Sequence, residues 1–168
     1  FTEVPQDKIK IKAPRMICDD MICDKIPEPL DKKSFVYLMV GAKGAGKTSL
    51  MTSLVSGRSK PFKAYRGKFD DVIINMPESS ARSIAGDPFK SIPRSNMIAD
   101  FDEKLLQTIY EKAEEHAEEE EFTLAVLDDA SSKLKTNKHI IDGLTQLVHR
   151  HRHLRLSMMI LVQDLVSV

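Results

Sequence analysis

Residues 41–48, Gly-Ala-Lys-Gly-Ala-Gly-Lys-Thr, place Gly41, Gly46, Lys47 and Thr48 at the fixed positions of the pattern G-x-x-x-x-G-K-[ST]. Phosphate binding asks for these residue types. Glycine lets the backbone curl until the N–H groups of Gly41, Ala42, Lys43, Gly44, Ala45 and Gly46 point inward at phosphate oxygens. A helix opening at Lys47 adds its own free N–H groups, Ser49 among them, and its positive dipole end. Lys47 would then reach the β- and γ-phosphates, and the Thr48 hydroxyl would hold Mg²⁺. A glycine-rich strand-to-helix turn that binds nothing is the plain alternative. It is opposed by the context, an apolar run at 35–40 before the loop and a helical stripe of Leu50, Leu54 and Val55 after it. Gly57 then reads as the helix stop.

Two further groups bear on the same chemistry. Phe-Thr-Leu-Ala-Val-Leu-Asp-Asp-Ala, residues 122–130, is an apolar strand running into Asp128 and Asp129, and it resembles a Walker B motif. The first acid would hold Mg²⁺, often through water. The second would orient or deprotonate the attacking water. Adjacent carboxylates at a strand end are costly unless a cation sits beside them. Either acid could instead cap a following helix. Gln163 ends the apolar run 156–162. Ligands of open α/β sheets bind outside the carboxyl ends of the strands. A glutamine there can touch the γ-phosphate or the attacking water, or simply face solvent.

The elements that must position these residues alternate along the chain. Strands are expected at 35–40, Asp71–Asn75, Thr123–Leu127 and Leu156–Val162. Helices are expected at Lys47–Ser56, along the face Phe101, Leu105, Ile109, Ala113, and along Ile140, Ile141, Leu144, Leu147, Val148. Residues 79–96, with Pro88 and Pro93, read as a loop-rich connection. Alternation of strand and helix predicts an α/β fold with a parallel sheet covered on both faces. Residues 1–34 differ. An alternating Lys-Ile-Lys-Ile-Lys stretch and Pro5, Pro14, Pro27 and Pro29 mark an N-terminal extension, packing on the core or on a neighbouring subunit. The domain proper is expected at 35–168.

At 168 residues, 42% hydrophobic and 30% charged, the chain suits one globular domain and not a disordered one. No apolar run is long enough to span a membrane and no secretory signal is visible. A first residue Phe1 and an apolar end at 161–168 suggest a fragment, with the sheet incomplete at the C-terminus. Net charge is zero, but residues 111–121 are acidic and 149–155 basic; each reads first as a solvated face. Cys18 and Cys23 lack the second Cys/His cluster that structural zinc requires and read as free thiols.

The order of a phosphate loop, a strand ending in two acids and a strand ending in glutamine resembles the additional-strand (ASCE) P-loop NTPases. Val-Leu-Asp-Asp, residues 149–164 and residues 65–77 further resemble the FtsK/HerA superfamily, and within it the genome-packaging ATPases of poxviruses and other large DNA viruses. The resemblance covers residues 35–168. It implies that the fourth strand, Leu156–Val162, lies between the phosphate-loop strand and the Asp128 strand, and that a further strand follows Val168. It implies an ATPase using ATP and Mg²⁺, working as a homo-oligomeric ring of five or six subunits on double-stranded DNA, with capsid or portal-vertex proteins as partners, in the virion or host cytoplasm. It also implies an arginine reaching the neighbouring subunit's nucleotide, for which Arg150, Arg152 and Arg155 are the candidates. Lys133, Lys135 and Lys138 would face DNA phosphates or lie in a solvated loop.

Two rivals fit less well. A regulatory GTPase needs Asp-x-x-Gly and Asn-Lys-x-Asp, but Asp-Asp-Ala-Ser has no glycine and Ile140 stands where the last aspartate belongs. A small-molecule kinase needs an arginine-rich lid, for which Arg82 and Arg94 are thin support. A non-motor AAA-like, helicase or recombination ATPase remains the main alternative.

Overall fold

β1 (Val36–Val40), β2 (Asp71–Asn75), β3 (Met97–Ile98), β4 (Thr123–Leu127) and β5 (Leu156–Val162) form one sheet in the order β1-β5-β4-β2-β3. Every neighbouring pair is parallel. This computed structural model describes residues 26–27, 29–57, 64–134 and 136–163. The alternating segment at 8–12, Cys18, Cys23, Lys135 and residues 164–168 lie outside them. β4 and β5 are buried along their whole length, as near-continuous apolar strands covered on both faces must be. The last strand sits between the phosphate-loop strand and the Asp128 strand, as expected: Val40 pairs with Val162, and Leu127 with Ile160. The carboxyl ends of β1, β5 and β4 therefore share one edge.

Helices cover both faces. α1 (Lys47–Ser56) places Met51 and Val55 against Phe35, Ile74, Val126 and Leu161. On the opposite face α3 (Glu103–Glu118), α4 (Ser131–Leu134) and α5 (Lys138–Arg150) bring Leu105, Ile109, Leu134, Ile140 and Leu147 onto Ile73, Ala125 and Met158. α3 and α5 each begin where a side chain satisfies free amides. Asp102 accepts from Leu105 N–H at 2.9 Å, and Asn137 accepts from His139 and Ile140 N–H. α1 stops at Gly57, where a Cβ would lie 2.2 Å from the Ser53 carbonyl oxygen. No helix among the described residues is long and apolar enough to cross a membrane.

Three details depart from the sequence reading. The run 35–40 was expected as a buried strand, yet Leu38 and Val40 are 52% and 42% exposed. β1 borders only β5 among the described residues, and of its residues on the face opposite α1 only Val36 packs against the cluster of α3 and α5. Phe101 belongs to the buried cluster of α3 but precedes its cap. The connection 79–96 holds a short helix, α2 (Glu78–Arg82), and leads directly into β3. Ahead of β1, Tyr65 Oη donates to the Asp31 carbonyl at 2.9 Å and lies 2.7 Å from Tyr37 Oη. Ile26 and Leu30 pack into the same cluster as α1.

Candidate functional site

At the end of β1 the chain turns at once, with Gly41 N–H donating to Val162 O at 3.2 Å. Gly44 and Gly46 adopt φ of +81° and +88°, a region where a side chain would be strained. Gly46 caps α1 without a side-chain acceptor, and no acidic residue stands in the first turn. The free amides and positive end of α1 thus remain available to an anion. Lys47 Nζ lies back across the loop, donating to Gly41 O at 2.6 Å and Ala42 O at 3.2 Å.

β4 delivers the two acids to the same edge. Asp128 is 4% exposed, and its N–H donates to Asn75 O at 2.9 Å. Burial raises its carboxyl above the usual carboxylate range, and the charge of Asp129 adds to this; the Thr48 and Ser80 hydroxyls and Lys47 pull the other way. Thr48 Oγ1 lies 3.3 Å from both Asp128 oxygens. A hydroxyl and a carboxylate make an all-oxygen donor set suited to a hard divalent ion such as Mg²⁺, and a cation there would relieve the buried charge.

This has a measurable consequence. A carboxyl raised in the folded state favours folding while protonated, and that contribution is lost as pH rises from the ordinary value of about 3.9 through the raised one. Asp128→Asn should therefore melt higher than the parent chain near neutral pH in EDTA, with the gap closing below about pH 4. Mg²⁺ should raise the melting temperature of the parent and not of the variant. A variant less stable at both pH values would contradict the assignment of strain to this carboxylate.

Asp129 takes a left-handed φ of +57°, a conformation aspartate tolerates better than most residues. Gln163 Nε2 donates to Asp129 Oδ1 at 2.8 Å, and Gln163 N–H donates to Ser131 Oγ at 2.8 Å. Gln163 is thus brought to the second acid. A cleft of about 190 Å³ is bounded by Lys43, Gly44, Lys47, Thr48, Asp128, Asp129 and Gln163, and also by Ser79 and Ser80. The two serines were missed from sequence. They follow β2, whose carboxyl end opens on the same edge, so the strand-end rule that singled out Gln163 applied to them as well.

The arginines lie elsewhere. All three precede the start of β5, a seven-residue strand, so about 20 Å separates them from its Gln163 end. Arg150 stacks over Tyr110 and donates to its hydroxyl at 2.6 Å. Arg155, at φ +45°, donates to Glu120 O and lies over Phe122. Arg152 is exposed. The basic and acidic runs therefore meet through Arg155 and Glu120, whose charges are 3.8 Å apart. Lys133 and Lys138 are exposed, on α4 and at the start of α5.

The geometry is that of a phosphate cradle, an oxygen-rich cation position and a carboxylate–amide pair, the parts required to transfer a phosphoryl group. No protein-family model and no curated protein matches the sequence. Solved structures do match. The DNA-packaging ATPase B204 of Sulfolobus turreted icosahedral virus superposes with a TM-score of 0.57 at 13% identity, over 82% of this chain and 70% of that one. The genome-packaging NTPase B204 of Sulfolobus turreted icosahedral virus 2, in complex with AMP, gives 0.51 at 15% identity, over 83% and 69%. With the phosphate loop on β1 and β5 inserted between β1 and β4, the chain has the P-loop NTPase fold of the additional-strand type and shares it with these viral genome-packaging ATPases.

Proposed function

We propose that this chain hydrolyses ATP to drive double-stranded DNA, as the motor that packages a viral genome into a capsid. The observation that carries the hydrolytic part is the convergence of Lys47, Asp128, Asp129 and Gln163 from three adjacent strands on one cleft. The fold shared with B204, a DNA-packaging ATPase, supports the motor part. In this reading the amides from Gly41 to Ser49 bind the phosphate chain. Lys47 exchanges the Gly41 and Ala42 carbonyls for β- and γ-phosphate oxygens. Thr48 and Asp128 hold Mg²⁺, which when bound neutralises charge on those oxygens. Asp129, oriented by Gln163, takes the proton of the attacking water.

At least one of Arg150, Arg152 and Arg155 acts between subunits, since all three lie at the far end of β5 from the phosphate loop of their own chain. Arg150 and Arg152 are both exposed, and Arg150 and Arg155 are engaged within the chain. A homo-oligomeric ring of five or six subunits supplies the missing contact, with capsid or portal-vertex proteins as its mount. Exposed Lys133 and Lys138, just past Asp129, meet DNA phosphates. Residues 35–168 form the ATPase domain and 1–34 its extension; the setting is the virion or the host cytoplasm.

The test is steady-state hydrolysis. Double-stranded DNA should raise ATP turnover severalfold, more at low salt than at high, and activity per subunit should climb with protein concentration. Phosphate transfer to a nucleoside acceptor would mark a kinase, and turnover indifferent to DNA and to concentration would defeat the motor.

A further inference from the structure

We infer that His116, Glu119 and Glu121 form a binding site for a divalent transition-metal ion of the zinc class, at the end of the sheet away from the phosphate loop. A ring nitrogen of His116 and a carboxylate oxygen of each glutamate lie within 4.8 Å of one another. The end of α3 brings them together. Glu120 takes a left-handed φ of +62°. Its N–H donates to Ala117 O at 3.2 Å, and Glu121 N–H donates to His116 O at 2.8 Å. This pair of bonds is the Schellman way of closing a helix, and it folds the sixth residue back over the first. An apolar contact often joins those two positions. Here they are His116 and Glu121, whose Nδ1 and Oε2 are 2.6 Å apart. Glu119 is exposed beside them. The whole of β4 separates Glu121 from Asp128, so this site is distinct from the nucleotide cleft.

Two further observations call for a cation. Both ring nitrogens of His116 face carboxylates. Nε2 lies 3.7 Å from Asp71 Oδ2, and Asp71 is itself held by the Asn96 amide and by Lys112. A neutral imidazole has one proton for the two faces. With that proton on the Asp71 side, the Nδ1 lone pair is left against the oxygens of Glu119 and Glu121. A carboxylate at one ring nitrogen and a metal at the other is the common arrangement of a metal-binding histidine. Thr123 is the second observation. It is fully buried, and its Oγ1 has no hydrogen-bond partner among the described residues. It pairs in register with Asp71 and shares the face of Ala125 and Leu127, which α3 covers; water completing the ion's shell is the partner this site offers it. A proton on Nδ1 would balance one glutamate, whereas a divalent ion balances both. One imidazole with two carboxylates suits Zn²⁺, while Mg²⁺ and Ca²⁺ take oxygen alone. Tetrahedral zinc holds its donor atoms about 3.3 Å apart, so Glu121 opens slightly from its present 2.6 Å.

The experiment titrates the nucleotide-free chain with Zn²⁺ and with Co²⁺ as its coloured substitute. Co²⁺ should give visible bands without the near-ultraviolet thiolate absorption that Cys18 or Cys23 would add. His116→Gln and Glu119→Gln should each weaken Zn²⁺ at least about tenfold, since losing even an outer partner of a ligand costs about 10–100-fold. Zn²⁺ should raise the melting temperature of the parent chain and not of these variants. Glu119 is exposed, so Glu119→Gln should melt like the parent when metal is absent, which separates a lost ligand from a lost fold. Asp128→Asn should bind Zn²⁺ as the parent does, and that result places the ion away from the nucleotide cleft. A parent chain that takes up no Zn²⁺ would overturn the site and leave His116 as a cation between Asp71 and Glu121. Parental affinity in Glu119→Gln, thiolate absorption with Co²⁺, or binding lost in Asp128→Asn would overturn it equally.

Discussion

Lys47→Ala should reduce ATP hydrolysis at least about 100-fold and weaken nucleotide binding, with melting behaviour near that of the parent chain. The size follows from removing a preorganised charge aimed at the transferring phosphoryl group, where a single lost donor costs on the order of 10²–10³ in rate. The structural cost is small because the hydrogen bonds of Lys47 Nζ go to loop carbonyls, Gly41 O and Ala42 O, and those can turn to water. A ³²P-release assay with a thermal melt separates the two effects. Parental turnover in the variant would remove Lys47 from the site and the phosphate loop with it.

Asp129→Asn should leave Mg-ATP binding within a few-fold of the parent and lower turnover by roughly 10²–10⁴, the range for losing a general base. The contrast with Asp128 makes the test specific. Asp128 lies against Thr48, and Asp129 lies against Gln163. Changing Asp128 should therefore damage metal-dependent binding, whereas changing Asp129 should damage the rate. Asparagine keeps a carbonyl oxygen to accept from Gln163 Nε2 at the position now occupied by Oδ1, so the geometry survives and the base does not. Equilibrium binding of an ATP analogue at several Mg²⁺ concentrations, beside single-turnover rates, distinguishes the two. Swapped phenotypes would exchange the roles of the acids.

Much of this site was legible because its constraints are local. A loop of three glycines has few uses between an apolar run and a helical stripe, and Gly44 and Gly46 do take the left-handed conformations for which glycine is suited. β4 and β5 were legible because strands buried on both faces are apolar almost throughout. β3 was not. It has two residues and no periodicity, and side chains distant in sequence fix its place. The Asn75 amide donates to Ile98 O and Asp100 O, and the Asn96 amide donates to Asp71 Oδ1 and Val72 O. The exposure of Leu38 and Val40 was hidden for the same reason, since apolar composition does not say which strand ends up with one neighbour. Ser80 was missed because a helix one turn and a half long has no amphipathic pattern to announce it.

The position of β5 also decides which parts of the molecule can move separately. It is hydrogen-bonded on one side to β1, which leads into the phosphate loop, and on the other to β4, which leads into Asp128 and Asp129. Sliding either partner would break a full ladder of parallel pairs. The loop, the acids and the glutamine thus behave as one stiff body, and any stroke on nucleotide binding must be taken up off the sheet, by α2 and the segment after it. Amide hydrogen exchange would show this as a sharp boundary: β5 amides opening only with the whole domain, and residues 78–86 opening far sooner and slowing when nucleotide is present.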